Sequence, residues 1–396
     1  IPAAESLPGD CKLDCLAFPA SYAQSRLWFL HQLEPDLTAY HLPALWRLRG
    51  NLNSTALRLA IADLIERHPT LRTSFRLQGN EVVQLIHPPS PFELHAEPLG
   101  DRNPDAVIEQ WLAQEQATHF DLSSGLLIRA RLLALDHKHH LLLLNHHHIA
   151  SDGWSRSVLT RDLTELYNAR CLAQTSQLAP LRVRYHDYAA WQRQRLSADR
   201  LQTLKNYWIT QLTDLEPLDL PSDYPRPAIP SHQGASVVFQ ITPELLAPFE
   251  ELCRLEGATL QMGLLALVTL LLHRYSRQDD FAIGVPIWGR NHPDLEPLIG
   301  FFVNTLPIRT RFTPQQSFRQ LLQQVKASSL AAYDHQELPF EQMVEALNLP
   351  RDTSRNPLVQ VVVQVADWPE NSLQGLQALA CEALMSPPAG ARFELE

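Results

Sequence analysis

"LLLLNHHHIASDGWS", residues 141–155, sets four leucines against three consecutive histidines and follows them with an Asp-Gly step. Read as a strand over 141–146, it alternates its side chains, so His146 and His148 share one face while His147 points to the other. Only one face can meet a cleft. Asp152 and Gly153 end the strand, since glycine permits a tight turn, and the next helix opens with unpaired backbone N–H groups from Gly153 to Ser155. A neutral imidazole beside such a helix start is what acyl transfer requires: a base for the nucleophile's proton and donors for the developing oxyanion. Asp152, four residues after His148, is close enough to influence it directly or by fixing the loop. Two other readings stay open here: histidines packed at a strand end, and a metal held by His146 and His148, for which the spacing offers no third ligand. No GxSxG accompanies these residues, so serine chemistry has no support.

Outward from this stretch the pattern alternates between helix and strand. Residues 53–70 carry Ala56, Leu57, Ala60, Ile61, Leu64 and Ile65 on one helical stripe behind caps at Asn53 and Ser54. "LRTSFRL" and "EVVQLIH" predict strands, "DAVIEQWLAQEQATHF" a helix, and "LLIRARLLAL" and "HHLLLLNHH" two strands joined by a polar turn at Asp136 to His139. "SRSVLTRDLTELYNAR" then resumes the helical period. A proline-rich passage, 220–234, predicts a surface connection. Beyond it, "PELLAPFEELCRLEG" is a helix entered through Thr242 and Pro243, and 259–275 is a second. "DFAIGVPIW" is a strand, "SFRQLLQQVKASSLAAYDH" a helix and "PLVQVVVQV" a β-branched strand. Two α/β halves therefore follow one another, and only the first carries the histidines, which predicts a site in a cleft between unequal halves.

Composition narrows the function classes. The 396 residues suffice for about two domains, and 45% apolar residues can build two cores. Lys and Arg number 33 against 43 Asp and Glu, a net charge of −10 without a basic block, so nucleic acid is excluded as a partner. The five cysteines (Cys11, Cys15, Cys171, Cys253, Cys381) are scattered, as reduced thiols in a cytosolic protein are. The N-terminus lacks the basic start and apolar stretch of a signal peptide and reads as a linker over residues 1–17. "LLALVTLLL", 264–272, is about half the ~20 residues a membrane span needs. It predicts a buried core helix, and no membrane partner.

"HHIASDG", His147 to Gly153, resembles the HHxxxDG signature of the condensation domains of nonribosomal peptide synthetases, whose fold is similar to chloramphenicol acetyltransferase. In the family's order the chain also carries "SYAQSRLWFLHQLEP" (21–35), "RHPTLRTSF" (67–75), "YHDYAAWQ" (185–192), "IGFFVNTLPIR" (299–309), "HQELPFEQMVEAL" (335–347) and "RDTSRNPLVQV" (351–361). The resemblance implies an α/β fold of two acetyltransferase-like lobes in a V-shaped pseudo-dimer with a central tunnel, divided as 18–180 and 181–396. It also implies amide formation between a donor peptidyl or aminoacyl thioester and the amine of an acceptor thioester. Both substrates would ride on the 4'-phosphopantetheine arms of an upstream and a downstream peptidyl carrier protein, beside an adenylation domain, with no metal and no directly bound cofactor. Carried over by position, His148 is catalytic and His147 mainly structural, while Asp152 is paired with Arg290 and Gly153 leaves room for the arm. Trp154, Ser155 and Asn304 fall near the tunnel, and Arg67 braces the first lobe. "SYAQSRLWFL" is the version typical of domains joining an L donor to an L acceptor. "RFELE", 392–396, resembles a point after which relatives usually continue, so the second lobe is expected to be cut short. A free-standing acyltransferase and a silent carrier-binding module are the alternatives.

Overall fold

The computed structural model describes residues 1–7, 15–35, 37–349, 352–365, 373–384 and 390–396. The chain runs β1 (Leu16–Pro19), α1 (Tyr22–Leu33), β2 (His41–Gly50), α2 (Ser54–Arg67), β3 (Thr73–Gln78), β4 (Glu81–Ile86), β5 (Ala96–Pro98), α3 (Pro104–Ala117), β6 (Ile128–Ala134), β7 (His139–His147), α4 (Gly153–Cys171) and α5 (Tyr185–Arg195). It continues through α6 (Ala198–Leu212), α7 (Pro243–Leu255), α8 (Leu260–Ser276), β8 (Asp280–Ile287), β9 (Asn304–Arg311), α9 (Phe318–Asp334), α10 (Phe340–Leu347) and β10 (Leu379–Leu384).

These elements divide into two compact units. The first holds residues 1–195, takes back Arg290–Phe302, and recruits the stretch bearing β10. The division is therefore not the contiguous cut at residue 180 that the sequence predicts. The reason is strand pairing: β10 zips antiparallel onto the open edge of β2, Leu379 opposite Gly50 through Leu384 opposite Leu45, and satisfies that edge's ladder. The expected N-terminal linker is also shorter than 1–17. Leu16 and Ala17 already pair with Ile86 and Leu85 of β4, Leu7 N donates to Ala17 O at 2.7 Å, and Ala4 N donates to Asp187 at 2.6 Å. Cys11 lies outside the described residues.

The five-stranded sheet of the first unit has the order β10-β2-β7-β6-β5, antiparallel except for β5 against β6. Its central strand is β7, which explains the unbroken leucines: Leu142 and Leu144 pack among α2 and α4 side chains, while Leu141 and Leu143 pack with Val107 and Trp111 of α3. A strand covered on both faces has no polar side to alternate with. The β6–β7 turn forms at the predicted place, where Asp136 Oδ1 accepts from Lys138 N and His139 N. Helix α2 is capped by Asn53, which accepts from Ala56 N at 3.0 Å. It buries the six stripe residues read from the sequence, each large one contributing about 1.5–3 kcal/mol. A second sheet, β1-β4-β3, completes the unit.

In the second unit β8 and β9 form an antiparallel pair, Ile287 opposite Asn304. Two expectations fail there. "PLVQVVVQV" forms only isolated bridges, Val362 to Gly284 and Val361 to Leu395. Helix α8 is buried on one side, through Met262, Leu265, Ala266, Thr269 and Leu272, yet leaves Leu267 and Leu271 exposed. It is an amphipathic helix whose polar face is missing, rather than a core helix. Residues 220–234 carry no regular element, as predicted. Among the described residues no single helix is long and apolar enough to cross a membrane.

Candidate active site

The three histidines of the opening stretch are all buried, at 1%, 4% and 8% exposure, and the structure gives them different work. Strand β7 ends at His147, and His148 begins a 3-10 turn, His148–Ala150. The alternation that was to put His146 and His148 on one face therefore stops one residue too early.

His146 continues the Leu142 and Leu144 face, between Leu42 of β2 and Ile128 of β6. Burial, then the charges of Arg156 and His148, push it down to about 3, so it is neutral. Neither ring nitrogen has a protein hydrogen-bond partner. His147 lies on the opposite face, across from His41 and in edge contact with Phe120 at 5.9 Å. Its Nδ1 accepts from Ile149 N at 3.0 Å, which closes the turn and leaves the ring proton on Nε2. Burial and the neighbouring His41 hold it well below the usual histidine range. Both rings are therefore neutral near neutral pH. His148 is left at the end of the strand, its N–H donating to Tyr40 O at 2.8 Å, its ring edge-on to Phe301 at 4.8 Å and to Tyr40 at 6.2 Å.

Four residues on stands a polar knot. Asp152 is the N-cap of α4, with Oδ1 accepting from Ser155 N at 2.8 Å. Arg290 Nη2 reaches the same oxygen at 3.1 Å and Ser155 Oγ at 2.9 Å, and Asp152 Oδ2 accepts from Phe302 N at 3.1 Å. Arg290 also donates to the carbonyls of Leu295 and Leu298, and its guanidinium lies 4.1 Å from the Phe302 ring centroid. The pair is sealed from water, with side-chain exposure of 3% for Arg290 and 0% for Asp152. This changes the chemistry expected of the helix start. Its positive end is occupied by a carboxylate, so it is not an open oxyanion pocket. Asp152 acts on His148 by fixing the chain between them.

The other predicted residues fall into place around the knot or outside it. Ser155 is fully buried, its hydroxyl also within 2.9 Å of Gly300 O and accepting from Gly300 N at 3.1 Å, so it ties the start of α4 to Gly300. Trp154 donates its indole N–H to Glu296 O at 3.0 Å. Gly153 opens α4 without a positive φ, so the backbone conformation does not require a glycine there. Arg67 Nε pairs with buried Asp162 at 2.9 Å, and His68 Nε2 meets the same oxygen at 2.9 Å, joining α2 to α4. Asp162 drew no attention in the sequence because one aspartate inside an amphipathic helix has no distinguishing pattern. In the second unit, Asn304 spends its amide on Gln336 O and Leu338 O and its oxygen on Phe340 N. It secures the α9–α10 turn. Among the described residues no group of three or more His, Cys, Asp or Glu is placed to hold a metal ion.

Comparison with known proteins agrees with this geometry. The chain is 40% identical to malpinin synthetase of Mortierella alpina over 92% of its own length, covering 5% of that protein. It spans only about 5–14% of the curated relatives it matches. Among solved structures it is similar to the X-domain from teicoplanin biosynthesis, with a TM-score of 0.88, 30% identity, and coverage of 97% of this chain and 84% of that one. The fold is shared with the first condensation domain of the calcium-dependent antibiotic synthetase, with a TM-score of 0.75 at 22% identity over 95% of this chain and 85% of that one. Residues 17–382 match the family described as Condensation domain, and with its HHxxxDG stretch ending a central strand beside a sealed Asp–Arg pair, the chain belongs to that family.

Proposed function

We propose that this domain forms an amide bond between two carrier-bound thioesters, with His148 as the reacting imidazole. The amine of the acceptor attacks the donor's thioester carbonyl, the C–N bond forms, the C–S bond breaks, and the proton lost by the amine ends on the departing thiol. The observation that carries this reading is the division of labour among the histidines. His146 is interior and His147 closes the turn through Nδ1, whereas His148 follows the end of the strand inside that turn, its ring edge-on to Phe301 and Tyr40.

The substrates arrive on 4'-phosphopantetheine arms of an upstream donor and a downstream acceptor peptidyl carrier protein, within a cytoplasmic synthetase that includes an adenylation domain. Gly153, glycine without a conformational reason, leaves room for a thin arm. Tethering raises the effective concentration of each substrate, so side-chain recognition can be loose while attachment is strict. The donor and acceptor are both L-configured, by the form of residues 21–30. The similarity to the X-domain, which has also been solved as a complex with OxyB, favours one second reading: a module that binds partners without catalysis.

The deciding assay mixes loaded donor and acceptor carriers with the protein. His148→Ala should keep the fold and lose about 10²–10⁴ in rate, Gly153→Trp should block the reaction, and a D donor should react poorly. Wild-type protein that binds carriers but yields no amide supports the silent module instead.

A further inference from the structure

The ring packed edge-on against His148 belongs to Phe301, with 68° between the planes, and Phe301 lies in a segment without regular secondary structure. Such a side chain would ordinarily be free to turn. Here the backbone on either side of it is tied down. Ile299 N donates to His68 Nδ1 at 3.4 Å, Gly300 N and O both engage Ser155 Oγ, and Phe302 N donates to Asp152 Oδ2. The carbonyl of Phe301 itself accepts from the Tyr185 hydroxyl at 2.6 Å.

Tyr185 is only 3% exposed, and burial followed by the nearby Tyr188 keeps its hydroxyl protonated far above neutral pH. With its proton on Phe301 O, the hydroxyl oxygen accepts from Ser21 Oγ at 2.9 Å, and Ser21 in turn caps α1. At Gly300 a Cβ would overlap the Tyr185 ring, so glycine at that position is what lets the tyrosine reach the carbonyl. The sealed Asp152–Arg290 knot, the α1 cap and α5 thus converge on a single half-buried phenyl ring, and that ring touches the imidazole.

We infer that Phe301 is a positioning residue for the acyl transfer proposed above, its ring, anchored through its own carbonyl by Tyr185, holding the His148 imidazole in one orientation. The inference rests on His148 being the reacting group. Its physical content is tolerance: a shift of about 1 Å at a reacting group costs on the order of 10²-fold in rate, without weakening the binding of substrate held elsewhere.

The test combines kinetics with histidine NMR on the whole domain and loaded carriers. The resonances of His148 are identified by their loss in His148→Ala. Phe301→Leu, which keeps apolar volume and removes the ring, should lower kcat about 10- to 100-fold at unchanged KM. It should also shift the His148 C–H resonances as the ring current disappears. Phe301→Tyr should restore both. Tyr185→Phe should move the same resonances, and it takes over the test if Phe301→Leu does not fold. Unmoved His148 resonances, an unchanged kcat, or a loss that Phe301→Tyr does not repair would overturn the inference. Wild-type turnover by His148→Ala would instead defeat the assignment of His148, while leaving the resonance shifts to report on the ring contact.

Discussion

At the scale of single residues, the triple histidine shows how identical side chains acquire different chemistry from where the chain sets them. His41, His146 and His147 are each lowered by burial, His41 to about 4 and His146 to about 3. In the unfolded chain they titrate near 6.5, so at pH 5 the unfolded state binds more protons than the folded one. The stabilisation is therefore complete above about pH 6.5 and is lost as the pH falls toward the folded values. His41 and His146 should each cost about 2 kcal/mol between pH 7 and pH 5. Urea denaturation at pH 7 and pH 5 reads this directly, and His146→Leu should flatten the dependence by one group. A stability that stays level from pH 7 to pH 5 would mean that these rings are not held neutral. The same burial explains why periodicity could not tell the three histidines apart, a distinction that only the resemblance supplied. A one-residue difference in where β7 ends decides it, and strand ends are set by ladder partners, not by the residues themselves.

At the scale of elements, Asp152 joins a helix cap to an ion pair. The sequence reading placed the helix start beside Asp152 but left its N–H groups open, whereas Asp152 caps them. The resemblance supplied Arg290, and the structure brings the two within 3.1 Å across 138 residues of sequence. Asp152→Ala and Arg290→Ala should each destabilise by about 3–5 kcal/mol, because each leaves a buried charge without its counterpart. The double variant should lose far less than the two losses added together. Simple additivity in a denaturation cycle would show that the two side chains do not act as a pair. Helix α4 illustrates the opposite case: its length and buried stripe followed from the 3.6-residue period, while the bonds of Ser155 to Gly300 and Asp152 did not.

At the scale of the molecule, the first unit is discontinuous, closed by residues 290–302 and by β10. Residues 1–195 expressed alone would lack the Arg290 side chain, the Phe302 N–H that meets Asp152, and the strand that covers the edge of β2. They should therefore show no cooperative unfolding transition, and should aggregate through the bare strand edge. A sharp transition in that fragment would mean that the returning segments are dispensable. Period and turn chemistry could not announce those segments. "IGFFVN" and "LACEAL" are short apolar runs whose neighbours in space lie far away in sequence.

The sequence by itself determined the helix stripes, the β6–β7 turn, the α2 cap and, through ordered motifs, the family, because each rests on residues within a few positions of one another. Its reading of "LLLLNHHHIASDGWS" found the right stretch and the wrong end of the strand. The tertiary structure alone decided that His147 Nδ1 closes a turn, that the helix start is filled by a carboxylate, which distant groups Asn304 and Ser155 bond, and that Phe301 meets His148. Those outcomes depend on which distant groups burial forces to find partners. A buried carboxylate, guanidinium or imidazole must be satisfied or neutral wherever the chain encloses it, and that enclosure is a property of the assembled fold.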